Sequence, residues 1–336
     1  MRGRCTRLLV FTLLTTAAFV VGPASGPTDT AVVSAAGLPS RYEPVQPCRL
    51  ADERVGTGFI AVDPYTARVS TSVCGIPDDA AAIVVSATIV QPQQKGWLVA
   101  YPAGASRPTA ATLNWNAGTT RANTATVRVG GGNLIEVYRK DGFGRGGVVI
   151  DVVGAFVPAE SATSGRLVVP GAAERILDTR DHSGNPLGPD STVRVPLPDG
   201  VPADAVALAV NLTVVSTRSN GFFTLFPAGS ARPEASVLNA DRRGQNRAAA
   251  TIVPVTPDGF DLYAKGGAHV IVDMTGWFTG ESAEESDDGL FVPAVPDRLR
   301  DTRPETAPIY PGGTISVPLP ARAGQPAAVA FSMPMV

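Results

Sequence analysis

The sequence predicts an all-β protein built of tandem β-sandwich, jelly-roll-like domains: two complete copies and a truncated third. Two observations lead there. The segment RILDTR at 175–180 is a near copy of CRLADER at 48–54 and of DRLRDTR at 297–303, and the text after each copy is repeated as well. Helical periodicity is almost absent, whereas short runs such as STVRVPL, AVALAVNLTVV, GFFTLFP, AAATIVPV, FDLYA and AHVIVDM are rich in Val, Ile, Thr and aromatics and are separated by Gly, Pro, Asn and Asp. Arg49 and Arg175 are 126 positions apart and Asp151 and Asp273 are 122 apart, a period long enough for a whole domain rather than a solenoid unit.

Residues 1–36 read as a secretory signal and processing region. MRGRCTR carries arginines and no acid, the apolar run from Leu8 to Val21 is shorter than the roughly 20 residues that span a bilayer, and small-residue cleavage sites follow at Ala24 and Ala36. After cleavage no membrane span is expected. Repeat 1 then covers 38–158. Its run at 80–90 is long and apolar enough for a central strand buried on both faces, GWLVAYP starts with glycine after a polar turn as the second arm of a hairpin would, and Gly154 in VVIDVVGAF suggests a bulge. A small polar linker, 159–166, leads to repeat 2 at 167–280, where 205–215, GFFTLFP and VIVDMTGWF match the same elements. The acidic linker 281–289 precedes the third copy, 290–336, whose AAVAFSMPMV aligns with the central strand. The linkers predict a loosely fixed orientation between repeats. The third copy is expected to supply only early strands, docked on a neighbour or unordered.

Cys48 and Cys74 are matched in repeat 2 by Glu174 and Asp199, so both cysteines are missing together. That pattern predicts a Cys48–Cys74 disulfide, which suits an exported protein. Two thiols without a nearby histidine are too few for zinc, and no metal is expected.

The formal net charge of −2, with basic residues spread along the chain, argues against nucleic acid as a partner. The clearest shared polar cluster is Arg-x-x-Asp-x-Arg: Arg49, Asp52 and Arg54; Arg175, Asp178 and Arg180; Arg298, Asp301 and Arg303. In a strand Asp178 and Arg180 share a face while Arg175 points the other way. The cluster is read first as a structural ion pair pinning the first strand to the last, and second as a site for an anionic or hydroxylated ligand. Asp151 and Asp273, near the end of each repeat, are placed to accept from Arg180 or its equivalent. The turns Pro102-Ala103-Gly104 with Arg107 and Pro227-Ala228-Gly229 with Arg232, followed by Asn114 and Asn239, form a second shared element. These asparagines can saturate loop peptide groups or hold sugar hydroxyls.

Repetition also tests for catalysis, because a residue the domain's chemistry requires should recur. His182 and His269 are matched by Gly56 and Gly147, so a nucleophile with a histidine base has no repeated basis. Asp178 and Asp273 could be imagined as a glycosidase pair, but arginine neighbours would keep both ionised. No catalytic residue and no cofactor is expected; no nucleotide loop, EF-hand spacing or zinc-protease signature is present.

The joint order of RILDTR, GVPADA with an apolar strand, GFFTLFPAGSARP, LN and DMTGWF resembles a domain found, often in tandem, in secreted and surface proteins of actinobacteria. The resemblance implies an accessory module, sometimes attached to cell-wall hydrolases or proteases, with no settled ligand. Repeat 1 departs from the common form with ADER for LDTR, and Ala249 stands in repeat 2 where repeat 1 has Asn123. The expected function is therefore a secreted, non-catalytic module that binds a cell-wall glycan or extracellular polysaccharide. A purely structural spacer is the alternative, and a hydrolase is less favoured. Exposed aromatics would separate the first two. Among the candidates, Trp97 and Tyr101 become Phe222 and Phe226 in repeat 2, which suggests core rather than platform; Trp115 becomes Ala240, and Trp277 is the fourth.

Overall fold

The computed structural model describes residues 37–182, 184–294, 296, 298–303, 309 and 311–318. The expected signal region 1–36 and the later part of the third copy, 319–336, lie outside the described residues. Repeat 1 holds strands β1 (Ser40–Asp52), β2 (Phe59–Asp63), β3 (Thr66–Ser70), β4 (Ala82–Val90), β5 (Gly96–Pro102), β6 (Leu113–Trp115), β7 (Arg121–Arg128), β8 (Leu134–Arg139) and β9 (Gly147–Pro158). Repeat 2 follows with β10 (Leu167–Val168), β11 (Glu174–Asp178), a single helical turn α1 (Thr179–His182), β12 (Ser191–Val195), β13 (Ala207–Val215), β14 (Gly221–Pro227), β15 (Leu238–Ala240), β16 (Arg247–Pro254), β17 (Phe260–Ala264) and β18 (His269–Phe278).

Each repeat is a sandwich of two antiparallel sheets. In repeat 1 the orders are β1-β9-β4-β7 and β2-β3-β8-β5-β6; in repeat 2 they are β10-β18-β13-β16, with β11 also on β18, and β12-β17-β14-β15. With the β2 hairpin arm set aside, this interleaving is that of a jelly roll. The cores form from alternate residues of facing strands: Ile83, Val85, Ala87 and Ile89 of β4 meet Leu98, Ile135 and Val137 in repeat 1, and Leu208, Val210, Leu212 and Val214 of β13 meet Phe223, Phe260 and Leu262 in repeat 2.

The runs 80–90 and 205–215 are central strands: β4 lies between β9 and β7, and β13 between β18 and β16. β4 is buried on both faces as expected, but β13 is not: Ala209, Asn211 and Thr213 on its outer face are partly exposed. The hairpin expected between each of them and the following strand does not form. β5 pairs with β6 and β8, so β4 and β5 stand in opposite sheets. Across the sandwich they cover each other.

The repeats are tied together by their opening segments. Tyr42, Leu167 and Phe291 each precede the Arg-x-x-Asp-x-Arg motif by the same interval, give or take one residue. The Tyr42 N–H donates to Gly165 O, that of Leu167 to Gly289 O, and that of Phe291 to Ser40 O, each at 2.8 Å. Every acceptor lies two residues before the donor of its own repeat, so the three bonds form a closed cycle with the symmetry of a three-fold axis. Gly165 and Gly289 sit on it at φ +81° and +84°, where an added Cβ would press on Tyr42 O and Leu167 O.

Around that axis Tyr42, Phe156 and Phe278 are buried with Ala82, Val84 and Ala207, and Leu167 and Phe291 pack against them. The two linkers also hold each other, through the bridge between Ala162 and Ser286 and the bond from Thr163 Oγ1 to Glu281 at 2.9 Å. The expectation of a loosely fixed orientation therefore fails. The aromatic residues that close each repeat's last strand alternate between two environments along that strand, and their apolarity reads in sequence as part of each repeat's own core. Among the described residues, the opening of the third copy bridges to Ser40 of repeat 1 and adds no strand to repeat 2.

Candidate functional site

β1 and β11 each run antiparallel to the last strand of their repeat, with Arg49 opposite Asp151 and Arg175 opposite Asp273. A register shift falls just after each arginine, between Arg49 and Ala51 and between Arg175 and Leu177. That extra residue puts the arginine and the aspartate three positions later on one face. Arg175 consequently does not point away, as strict alternation predicts. It donates from Nη1 to Asp178 Oδ2 at 3.2 Å and from Nε to Asp273 Oδ1 at 2.8 Å. Asp273 thus accepts from Arg175, not from Arg180.

Asp178 is the centre of the cluster. It accepts from Arg180 Nε at 2.9 Å, Nη2 at 2.6 Å and the backbone N at 3.0 Å. Asp52 receives the same three bonds from Arg54, at 2.9, 2.6 and 3.0 Å, together with Arg49 Nη1 at 3.1 Å. In the third copy Asp301 accepts from Arg303 Nε at 2.9 Å and from Arg298 Nη1 at 2.6 Å. The fork of Arg54 holds Asp52 below the usual carboxylate range, and those of Arg180 and Arg303 do so for Asp178 and Asp301. Asp151 moves the other way: burial raises it, and Arg49 opposes the rise. Carboxylates held ionised by bidentate arginines are poor proton donors.

The second shared element lies on the opposite sheet. Gly104 and Gly229, at φ +82° and +77°, turn the chain after β5 and β14. Arg107 then lies 3.9 Å over the ring of Tyr138, and Arg232 3.9 Å over that of Tyr263. Trp97 stands 5.2 Å from Tyr138, with Tyr65 stacked on its other side at 6.3 Å; in repeat 2 Phe222 stands 5.8 Å from Tyr263. Asn114 is the cross-strand partner of Trp97 and Asn239 that of Phe222, so both amides belong to this row, and Asn239 Nδ2 bonds Ser236 Oγ at 3.2 Å. Tyr101 and Trp115 are buried, the latter donating Nε1–H to Gln94 O at 3.0 Å, and Trp277 packs against the core. Trp97 and Tyr138 are only partly covered and Tyr65 is exposed, whereas Tyr263 and Asn239 are buried. Trp97 is therefore a residue of the outer face rather than of the core.

Several residues were not singled out from sequence. Tyr138 and Tyr263 follow Arg107 and Arg232 by the same interval, a signal that was available. Beside them, Arg68 bonds Glu136 at 3.1 Å and Arg194 bonds Asp261 at 2.8 Å in matching registers. Repeat 1 alone buries Arg139 completely. It forks onto Asp141 at 2.7 and 3.0 Å and reaches Glu53 at 2.7 Å. Ala264 stands in the matching place, so this cluster is particular to repeat 1. The expected disulfide is present, joining Cys48 to Cys74 with Cα atoms 5.8 Å apart.

No protein-family model matches this sequence. Comparison with curated proteins likewise returns no match.

Proposed function

We propose that the chain is a secreted, non-catalytic surface module that binds a cell-wall glycan or extracellular polysaccharide through the outer face of the second sheet of repeat 1. One observation carries this reading: the row Tyr65–Tyr138–Trp97 under Arg107 on the outer face of repeat 1; the matching Tyr263 of repeat 2 is buried beneath Arg232. The rings of Tyr65 and Trp97, set on either side of Tyr138 whose face Arg107 covers, offer apolar contact to the C–H face of a sugar, with the guanidinium and the Asn114 amide as donors to its hydroxyls. The Arg-x-x-Asp-x-Arg cluster contributes scaffold rather than ligand contacts, since its carboxylates are already saturated by their own arginines. That saturation, together with the core shared between repeats, favours the spacer as the second reading.

Retention of the mature protein on purified peptidoglycan and on isolated wall polysaccharide tests the proposal. Replacing Tyr65 and Tyr138 by Ala together should weaken retention about tenfold or more, the equivalent of about 1.4 kcal/mol, while Asp178→Asn should leave it unchanged. Absence of retention on every glycan, or retention indifferent to the tyrosines, would favour the spacer.

A further inference from the structure

Repeat 2 sits on the outer face of the four-stranded sheet of repeat 1, and four side-chain contacts mark the seat. Arg49 Nη1 donates to Glu234 Oε2 at 3.2 Å, Ser86 Oγ to Ser236 O at 2.8 Å and Thr124 Oγ1 to Thr251 Oγ1 at 3.3 Å, and the Thr120 N–H donates to Asp241. Arg49, Asp151, Ser86 and Thr124 lie in one row across the sheet. The same row in repeat 2 is Arg175, Asp273, Asn211 and Ala250.

The two rows differ in cover. The Arg49 and Asp151 side chains are 25% and 2% exposed, against 48% and 24% for Arg175 and Asp273. Ser86 is buried and Asn211 is partly exposed. At the third position, Arg298 Nη2 donates to Thr109 O, and Thr109 is the residue of repeat 1 that matches Glu234. The motif arginine thus reaches the loop of another repeat twice, from Arg49 to 234 and from Arg298 to 109. Among the described residues the corresponding step from Arg175 is not made.

We propose that the outer face of the repeat 2 sheet is a docking face for a further repeat of the same kind, seated as repeat 2 is on repeat 1. The contact is head-to-tail, and such contacts close into a ring when the rotation permits. The cycle of bonds among Tyr42, Leu167 and Phe291 already has three-fold closure. The partner's position matching Glu234 would meet Arg175, and its position matching Ser236 would meet Asn211. A partner with an acid at the first of these fits best, because Arg175 is a half-exposed cation at that end of the row. A rigid second copy of this chain does not fit, since its own repeat 2 would fall on repeat 1 of the first.

Thiol labelling of the full chain tests the proposal. Asn211→Cys should react at least about tenfold faster than Ser86→Cys, whose place is covered; equal protection of the two would overturn the proposal. A third repeat is then completed on the full chain by putting residues 211–280 in place of 334–336, because AVAFSM at 328–333 aligns with AVALAV of repeat 2. Asn211→Cys should become protected about tenfold, and Glu→Lys at the appended position matching Glu234 should restore labelling. Unchanged labelling beside a protease-resistant appended repeat would overturn the proposal. So would an appended repeat that stays protease-sensitive, because the seat is what should order it.

Discussion

The ring of Tyr42, at the start of repeat 1, lies 4.6 Å from that of Phe278, which closes the last strand of repeat 2. Phe156 stands 5.5 Å from Tyr42 and 4.4 Å from Phe291, so one aromatic cluster takes a residue from all three copies. Phe278→Ala should destabilise the protein by about 3–5 kcal/mol, the usual range for truncating a buried phenylalanine. It should also split a single calorimetric unfolding transition into two, one for each repeat. An unchanged single transition would show that the cluster does not couple them.

Gly165 makes the first bond of the cycle with a backbone that L-residues avoid. An added Cβ would stand 2.2 Å from Tyr42 O, at φ +81°. Gly165→Ala should therefore lose more than about 1 kcal/mol in a denaturant titration. Gly171, where nothing lies within 4 Å and φ is not positive, provides the comparison: Gly171→Ala should be neutral or stabilising by a few tenths to about 1 kcal/mol.

Asp178 is buried and takes three bonds from Arg180. Asp178→Ala should cost about 1–3 kcal/mol at neutral pH, measured by chemical denaturation. The pH dependence follows from the direction of the shifts. Asp52, Asp178 and Asp261 are held below their unfolded value of about 3.9, so their contribution is fully present above that pH and is lost as pH falls below it. Asp151, raised by burial, acts in the opposite sense: its charge weighs against folding at neutral pH, and the penalty is relieved as pH falls through its raised value. Stability should drop below about pH 4, and Asp178→Ala should flatten that drop. A slope unaltered by the substitution would assign the acid sensitivity elsewhere.

The disulfide closes a loop across a sequence separation of 26 residues. Reduction should lower the stability of repeat 1 by about 3–4 kcal/mol in the chain-entropy model. Differential scanning calorimetry with and without reductant would measure it, and detection of free thiols in the unreduced protein would refute the bond.

Repetition carried the all-β architecture, the central strands at 80–90 and 205–215, the pairing of Cys48 with Cys74 and the Arg-x-x-Asp-x-Arg cluster. Each rests on a local pattern, or on a position that can be checked against its own second copy. Strand-level reasoning failed at Arg175 because a single extra residue in β11 reverses which face a side chain takes, and a bulge of that kind has no signature in one strand alone. The stack of Arg107 on Tyr138 could have been found by comparing intervals. The burial of Arg139 could not: Asp141 stands two positions away, but the second carboxylate, Glu53, is 86 positions away and repeat 2 holds no counterpart. Placing β4 and β5 in opposite sheets, and closing Tyr42, Leu167 and Phe291 into a cycle, depend on which surfaces meet after each strand is formed. Local composition determined the strands, the disulfide and the paired charges of this protein. Only the tertiary structure decided the seat of one repeat on the next, because that choice is made by contacts between residues more than a hundred positions apart, each of which is equally compatible with a strand in isolation.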